Sequence, residues 1–89
     1  MEALIMGMCG IVEQININRG MVAINTETGF TIIELIDDDN IDIGDKLCWD
    51  DDTALGHETY TNVSKGFTFE VVVQNHWVPK SQLNQHLLF

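Results

Sequence analysis

Between Met21 and Gln74 the chain runs in short stretches where apolar and polar positions alternate, several of them bounded by glycine-ended turns. Successive side chains of a strand point to opposite faces, so Val22, Ile24 and Thr26 share one face while Met21, Ala23 and Asn25 share the other. Phe30 to Ile36 follows, rich in the β-branched and aromatic residues that suit a pleated surface. A short strand is expected over Lys46 to Asp50, and a polar, Thr-rich edge strand over His57 to Val63. Phe67, Phe69, Val71 and Val73 alternate with Thr68, Glu70, Val72 and Gln74, which places the first four, Phe67 and Phe69 among them, in the core. The first strand is read as long, Leu4 to Ile17, with Gly7 and Gly10 marking a bend or bulge.

The turns agree with this pattern. Asn18-Arg19-Gly20, Glu27-Thr28-Gly29 and Ser64-Lys65-Gly66 each suit a three-residue hairpin loop whose last residue takes a positive φ, and Ile43-Gly44-Asp45 marks a further sharp turn. Repeated hairpin turns at short spacing predict an antiparallel meander and exclude a βαβ fold. Pro79 cannot continue a central strand; beyond it, Ser81 is placed to cap a short helix carrying Leu83 and Leu87 on one face. The chain therefore divides into a β-barrel domain, residues 1–76, and a C-terminal extension, residues 77–89, that packs on the barrel or on a partner, the barrel being favoured.

Composition sharpens the picture. Eighty-nine residues make one small core, and 14 Asp and Glu stand against 4 Lys and Arg, a formal charge of −10. Such a surface repels polyphosphate and attracts basic surfaces. No apolar run approaches the roughly 20 residues of a membrane helix. Glu2 occupies the place of a basic leading segment, so the N-terminus reads as strand and not as an export signal, and the expected location is cytoplasmic. On that expectation Cys9 and Cys48 are two reduced, packed thiols.

Gly10-Ile11-Val12, Gly20 to Ile24, Thr26 to Phe30 and Ile41 to Leu47 together resemble an OB-fold of the S1 or initiation-factor-one type. In that family a glycine-broken first strand leads into a hairpin of strands two and three, and a Gly-Asp turn opens strand four. The resemblance covers about half the chain and implies an all-β, antiparallel OB-like barrel of five to six strands. It also implies a single-stranded nucleic-acid ligand held by aromatic and basic residues on strands two and three. On the matching hairpin only Phe30 is aromatic and only Arg19, at its rim, is basic.

Candidate chemistry is sparse. Asp37, Asp38, Asp39 and Asp42 form one acidic cluster and Asp50, Asp51 and Asp52 another, both in expected loops. Asp38-x-Asn40-x-Asp42 begins like a calcium loop, then places Ile43 where glycine and Trp49 where glutamate are required, so solvated loops are the reading. The histidines and cysteines lack zinc-module spacing, the glycines are scattered one per turn, and neither Ser64 nor Ser81 sits in a nucleophile motif. No cofactor, metal or catalytic activity is expected.

Strand three carries apolar residues on both faces, with Phe30, Ile32 and Ile36 on one and Ile33 and Leu35 on the other. One face fills the barrel and the other needs a cover: the tail, a second subunit or a partner. The sequence thus points to a non-catalytic acidic module that contacts protein, either a partner with a basic surface or a second copy. Phe30, Ile32, Ile36, Trp77, Leu87 and Phe89 would supply apolar contact. The alternative is a nucleic-acid binder, which requires Arg19, Lys46, Lys65 and Lys80 to gather on one face.

Overall fold

The alternating stretches form six β-strands in a computed structural model that describes residues 7–37 and 40–89. They are β1 (Met8–Asn16), β2 (Met21–Thr26), β3 (Gly29–Leu35), β4 (Lys46–Trp49), β5 (Gly56–Asn62) and β6 (Phe67–Val78). A 3-10 turn over Lys80–Gln82 leads into a single helical turn, α1 (Leu83–His86). Every strand pair is antiparallel, and the order β1-β2-β3-β6-β5-β4 closes on itself into a barrel through β1 and β4. Two three-stranded meanders, β1–β3 and β4–β6, thus lie side by side, joined by the 36–45 loop.

Inside the barrel Val12, Val22, Ile24, Ile33, Leu47, Val71 and Val73 pack around an aromatic column. Trp49 stacks on Tyr60 with ring centroids 4.5 Å apart, and Phe69 meets Tyr60 edge-on at 6.5 Å. A second core lies on the outer face of β2 and β3. There Leu83 and Leu87, four residues apart and therefore on one side of the C-terminal helical turn, cover Met21, Ala23, Phe30, Ile32 and Val78. The unpaired face of strand three is thus covered by the chain's own tail. Asn16 anchors it, donating from Nδ2 to the Leu87 carbonyl at 2.8 Å.

Several expectations are refined. The expected start of β1 at Leu4 lies outside the described residues. The bulge in β1 falls at Glu13, between the pairs Val12↔Ile24 and Gln14↔Ala23, and not at a glycine. Gly10 serves close packing instead: a Cβ there would lie 2.6 Å from both the Asn25 carbonyl oxygen and the Ile24 side chain. The β2–β3 loop has two residues, Glu27 and Thr28, because Thr26 pairs with Gly29. The Thr26 hydroxyl donates to the Gly29 carbonyl at 2.6 Å and accepts from the Thr28 N–H, closing the shorter turn. Ser81 sits within the 3-10 turn and caps nothing; Gln82 precedes α1, with no side-chain cap. β6 continues to Val78, past the expected strand end at Gln74, with register irregularities against β3 on either side of Ile32.

The cysteines are the largest correction. Cys9 and Cys48 face each other across β1 and β4 and form a disulfide, not two free thiols. Their pairing is a long-range consequence of barrel closure, the two positions being 39 apart in sequence.

Candidate functional site

Seen from its charges, the barrel has two differently built acidic loops at opposite ends of β4. The β3–β4 loop is tied down. Asp45, buried at the foot of β4, accepts hydrogen bonds from the Asp42 N–H (3.0 Å), Asn62 Nδ2 (2.9 Å) and Lys65 Nζ (2.8 Å). Asn62, fully buried, also accepts from the Lys65 N–H through Oδ1, and Lys65 forms an ion pair with Asp42 as well. The polar set joins the β3–β4 loop to the β5–β6 turn. Asp42 therefore has a structural partner, Asp37 is exposed, and Asp38 and Asp39 lie outside the described residues.

Burial pushes the Asp45 carboxyl up, but the hydrogen bonds from Lys65, the Asp42 backbone and Asn62 together outweigh it and hold the group below its ordinary value of 3.8. A carboxyl lowered on folding stabilises the fold above its unfolded pKa, and that contribution disappears as pH falls through the folded value. Stability is thus expected to decline below about pH 3.8 and, in Asp45→Asn, to lose this part of its acid dependence. Asn62→Ala should cost about 2 kcal/mol at neutral pH by leaving buried partners unpaired. Urea midpoints across the acid range check both.

The β4–β5 loop is built otherwise. Asp50, Asp51 and Asp52 are all exposed. Asp51 Oδ1 accepts from the Thr53 N–H (2.9 Å) and hydroxyl (2.8 Å), and the backbone bond to Thr53, first among several, keeps its pKa below 3.8. This loop is pinned from beneath by His76, whose Nε2 lies 2.9 Å from the Ala54 carbonyl oxygen.

The residues expected to supply apolar contact separate into two groups. Phe30, Ile32 and Leu87 are buried in the second core and are taken up within the chain. Trp77, Ile36 and Phe89 are exposed, at 58%, 50% and 68%. Burial of Phe30 has a further consequence: the one aromatic of the β2–β3 hairpin offers no face on which a base could stack.

Two of the four cations are engaged by carboxylates. Lys65 is held by Asp42 and Asp45, and Lys80 lies 3.4 Å from Glu13. Lys46 borders a shallow cleft of about 340 Å³ beside Cys9, Ile11, Asn25 and the acidic Glu27. Arg19 stands in the β1–β2 turn, beyond the far end of β1.

Among the described residues no group of three or more His, Cys, Asp or Glu converges as a metal site, and no helix is long and apolar enough to cross a membrane. Comparison with protein-family models, curated proteins and solved structures found no match.

Two polar atoms inside the barrel, Trp49 Nε1 and the Tyr60 hydroxyl, have no hydrogen-bond partner among the described residues. Burial first, and the Glu58 carboxylate second, push the Tyr60 phenol well above its ordinary range. A buried hydroxyl with no partner is a cost that phenylalanine removes at constant shape. Tyr60→Phe is therefore expected to stabilise the fold by about 1 kcal/mol in urea denaturation; a loss of stability would assign the hydroxyl a bond it lacks here.

Proposed function

We propose that the protein is a non-catalytic acidic binding module for a protein partner with a basic surface. The observation that carries this reading is the fate of its cations and its hairpin aromatic. Lys65 and Lys80 are engaged by carboxylates and Phe30 is buried, while Asp50, Asp51, Asp52 and Trp77 stay exposed. A net charge of −10 speeds encounter with a basic partner, and an exposed aromatic supplies the contact that persists after encounter. Self-association through Trp77, Ile36 or Phe89 is a second form of the same reading.

Kinship with OB-type barrels rests on the turn pattern, and a closed six-stranded antiparallel barrel is compatible with it. On this proposal the family's nucleic-acid role has been given up. The Cys9–Cys48 bond favours work in an oxidising compartment over the reducing cytoplasm expected from the sequence.

Fluorescence anisotropy of a labelled oligothymidylate at low salt, where phosphate contacts are strongest, tests the reading. Binding weaker than about 100 µM is expected. Micromolar binding that falls steeply with salt would overturn the proposal in favour of the nucleic-acid alternative.

A further inference from the structure

Trp77 is held in an unusual backbone state. Its φ is +56°, a left-handed conformation that bulky side chains rarely adopt. The cause lies in the register of β3 and β6. Phe30 pairs with Val78 and Ile32 with Asn75, so Thr31 alone stands opposite two residues, His76 and Trp77. This bulge re-aims both side chains.

His76 turns inward and is buried between two elements. Its Nδ1 lies 2.9 Å from the Thr31 hydroxyl and its Nε2 2.9 Å from the Ala54 carbonyl oxygen. A carbonyl only accepts, so Nε2 carries the proton and, in the neutral ring, the Thr31 hydroxyl donates to Nδ1. The ring therefore fastens the β4–β5 loop to the bulge. Trp77 turns outward, 58% exposed, with its ring centroid 5.7 Å from that of His76. Glycine at position 29 permits the arrangement, because a Cβ there would come 3.0 Å from the Trp77 Cα.

One device thus presents an exposed indole and, through the neighbouring histidine, fastens at Ala54 the loop that carries the exposed Asp50, Asp51 and Asp52. We propose that Trp77 is the centre of a docking surface for an arginine-rich segment of a partner protein, with a guanidinium stacked on the indole and neighbouring arginines facing Asp50 and Asp52. The choice of occupant follows from charge complementarity and from the indole. The face of a tryptophan attracts cations, and the planar guanidinium stacks on it better than the compact lysine ammonium does. The inference rests on the proposed function and names the surface that would perform it.

The test is anisotropy of fluorescein-labelled hexa-arginine and hexa-lysine at low salt with the full chain. Trp77→Asn is the informative variant, since asparagine tolerates a positive φ and the bulge is kept; circular dichroism and urea denaturation check its fold. Hexa-arginine is expected to bind more tightly than hexa-lysine, and Trp77→Asn to weaken it roughly five- to thirtyfold. The pair Asp50→Asn and Asp52→Asn should weaken it more than the charge-matched pair Glu34→Gln and Asp37→Asn, which lies at the end of β3 away from the bulge and in the loop that follows. Undiminished binding by Trp77→Asn, or equal losses from the two charge pairs, would overturn the docking surface while leaving the acidic-module reading in place. Binding of oligothymidylate with none of hexa-arginine would overturn both.

Discussion

Removing the Cys9–Cys48 bond is expected to lower the unfolding free energy by about 4 kcal/mol, the chain-entropy value for a loop of this length. The disulfide closes a loop between residues 39 apart and does so at the barrel's closing seam. β4 has four register pairs to β1 and only two to β5, so without the covalent tie its place in the barrel depends on few backbone bonds. Trp49, at the end of β4, also belongs to the aromatic column, so loosening the seam loosens the core. A domain of this size has roughly 5–13 kcal/mol in total, and the loss is a large part of it. Urea denaturation of Cys9→Ala/Cys48→Ala, and of the native protein with and without dithiothreitol, measures the effect. Unchanged midpoints would mean that the seam is held by its hydrogen bonds and the packing of Leu47 and Trp49 alone.

Leu87→Ala is the second large effect, with an expected cost of about 3 kcal/mol. Leu87 is fully buried, and its neighbours Phe30, Ile32 and Met21 belong to rigid strands that cannot collapse into the space it leaves. Chain termination after Pro79 goes further. It strips both leucines from the outer face of β2 and β3 and removes the carbonyl to which Asn16 donates. That variant should unfold at lower urea and, where folded, self-associate through the uncovered Phe30 and Ile32. A monomeric truncation of native stability would show that the second core contributes nothing, contrary to its burial. Sedimentation equilibrium alongside denaturation separates these results.

The strands were legible because period-two alternation and glycine turns are local signals. Val22 and Ile24, or Phe69, Val71 and Val73, declare their face without reference to any other strand. The second core was half legible. Apolar residues on both faces of strand three required a cover, and the spacing of Leu83 and Leu87 made the tail a candidate. The disulfide was not legible, because Cys9 and Cys48 meet only once β1 and β4 close the barrel, and no local pattern encodes that closure.

The bulge at His76 and Trp77 was hidden for a related reason. An extra residue in β6 has meaning only against its partner β3, and Asn75-His76-Trp77-Val78 reads as the strand's fading end. Likewise Asp45 stood out only as the end of a turn and Asn62 only as part of a polar edge strand, although together with Lys65 they build the polar network beneath the barrel. Single polar residues carry no periodicity, so their burial is settled by tertiary contacts alone. Phe30 and Ile32, which the two-sided apolar pattern of strand three offers as contact residues, are internal because the tail covers them, whereas Trp77 is exposed.

The most direct test of the central claim is capture from lysate of the source cells at low salt, with and without nuclease, comparing the native chain with Trp77→Asn. The account predicts a protein partner that survives nuclease, is released as salt rises, and is bound less by Trp77→Asn. Recovery of nucleic acid, with all bound material lost after nuclease, would contradict it.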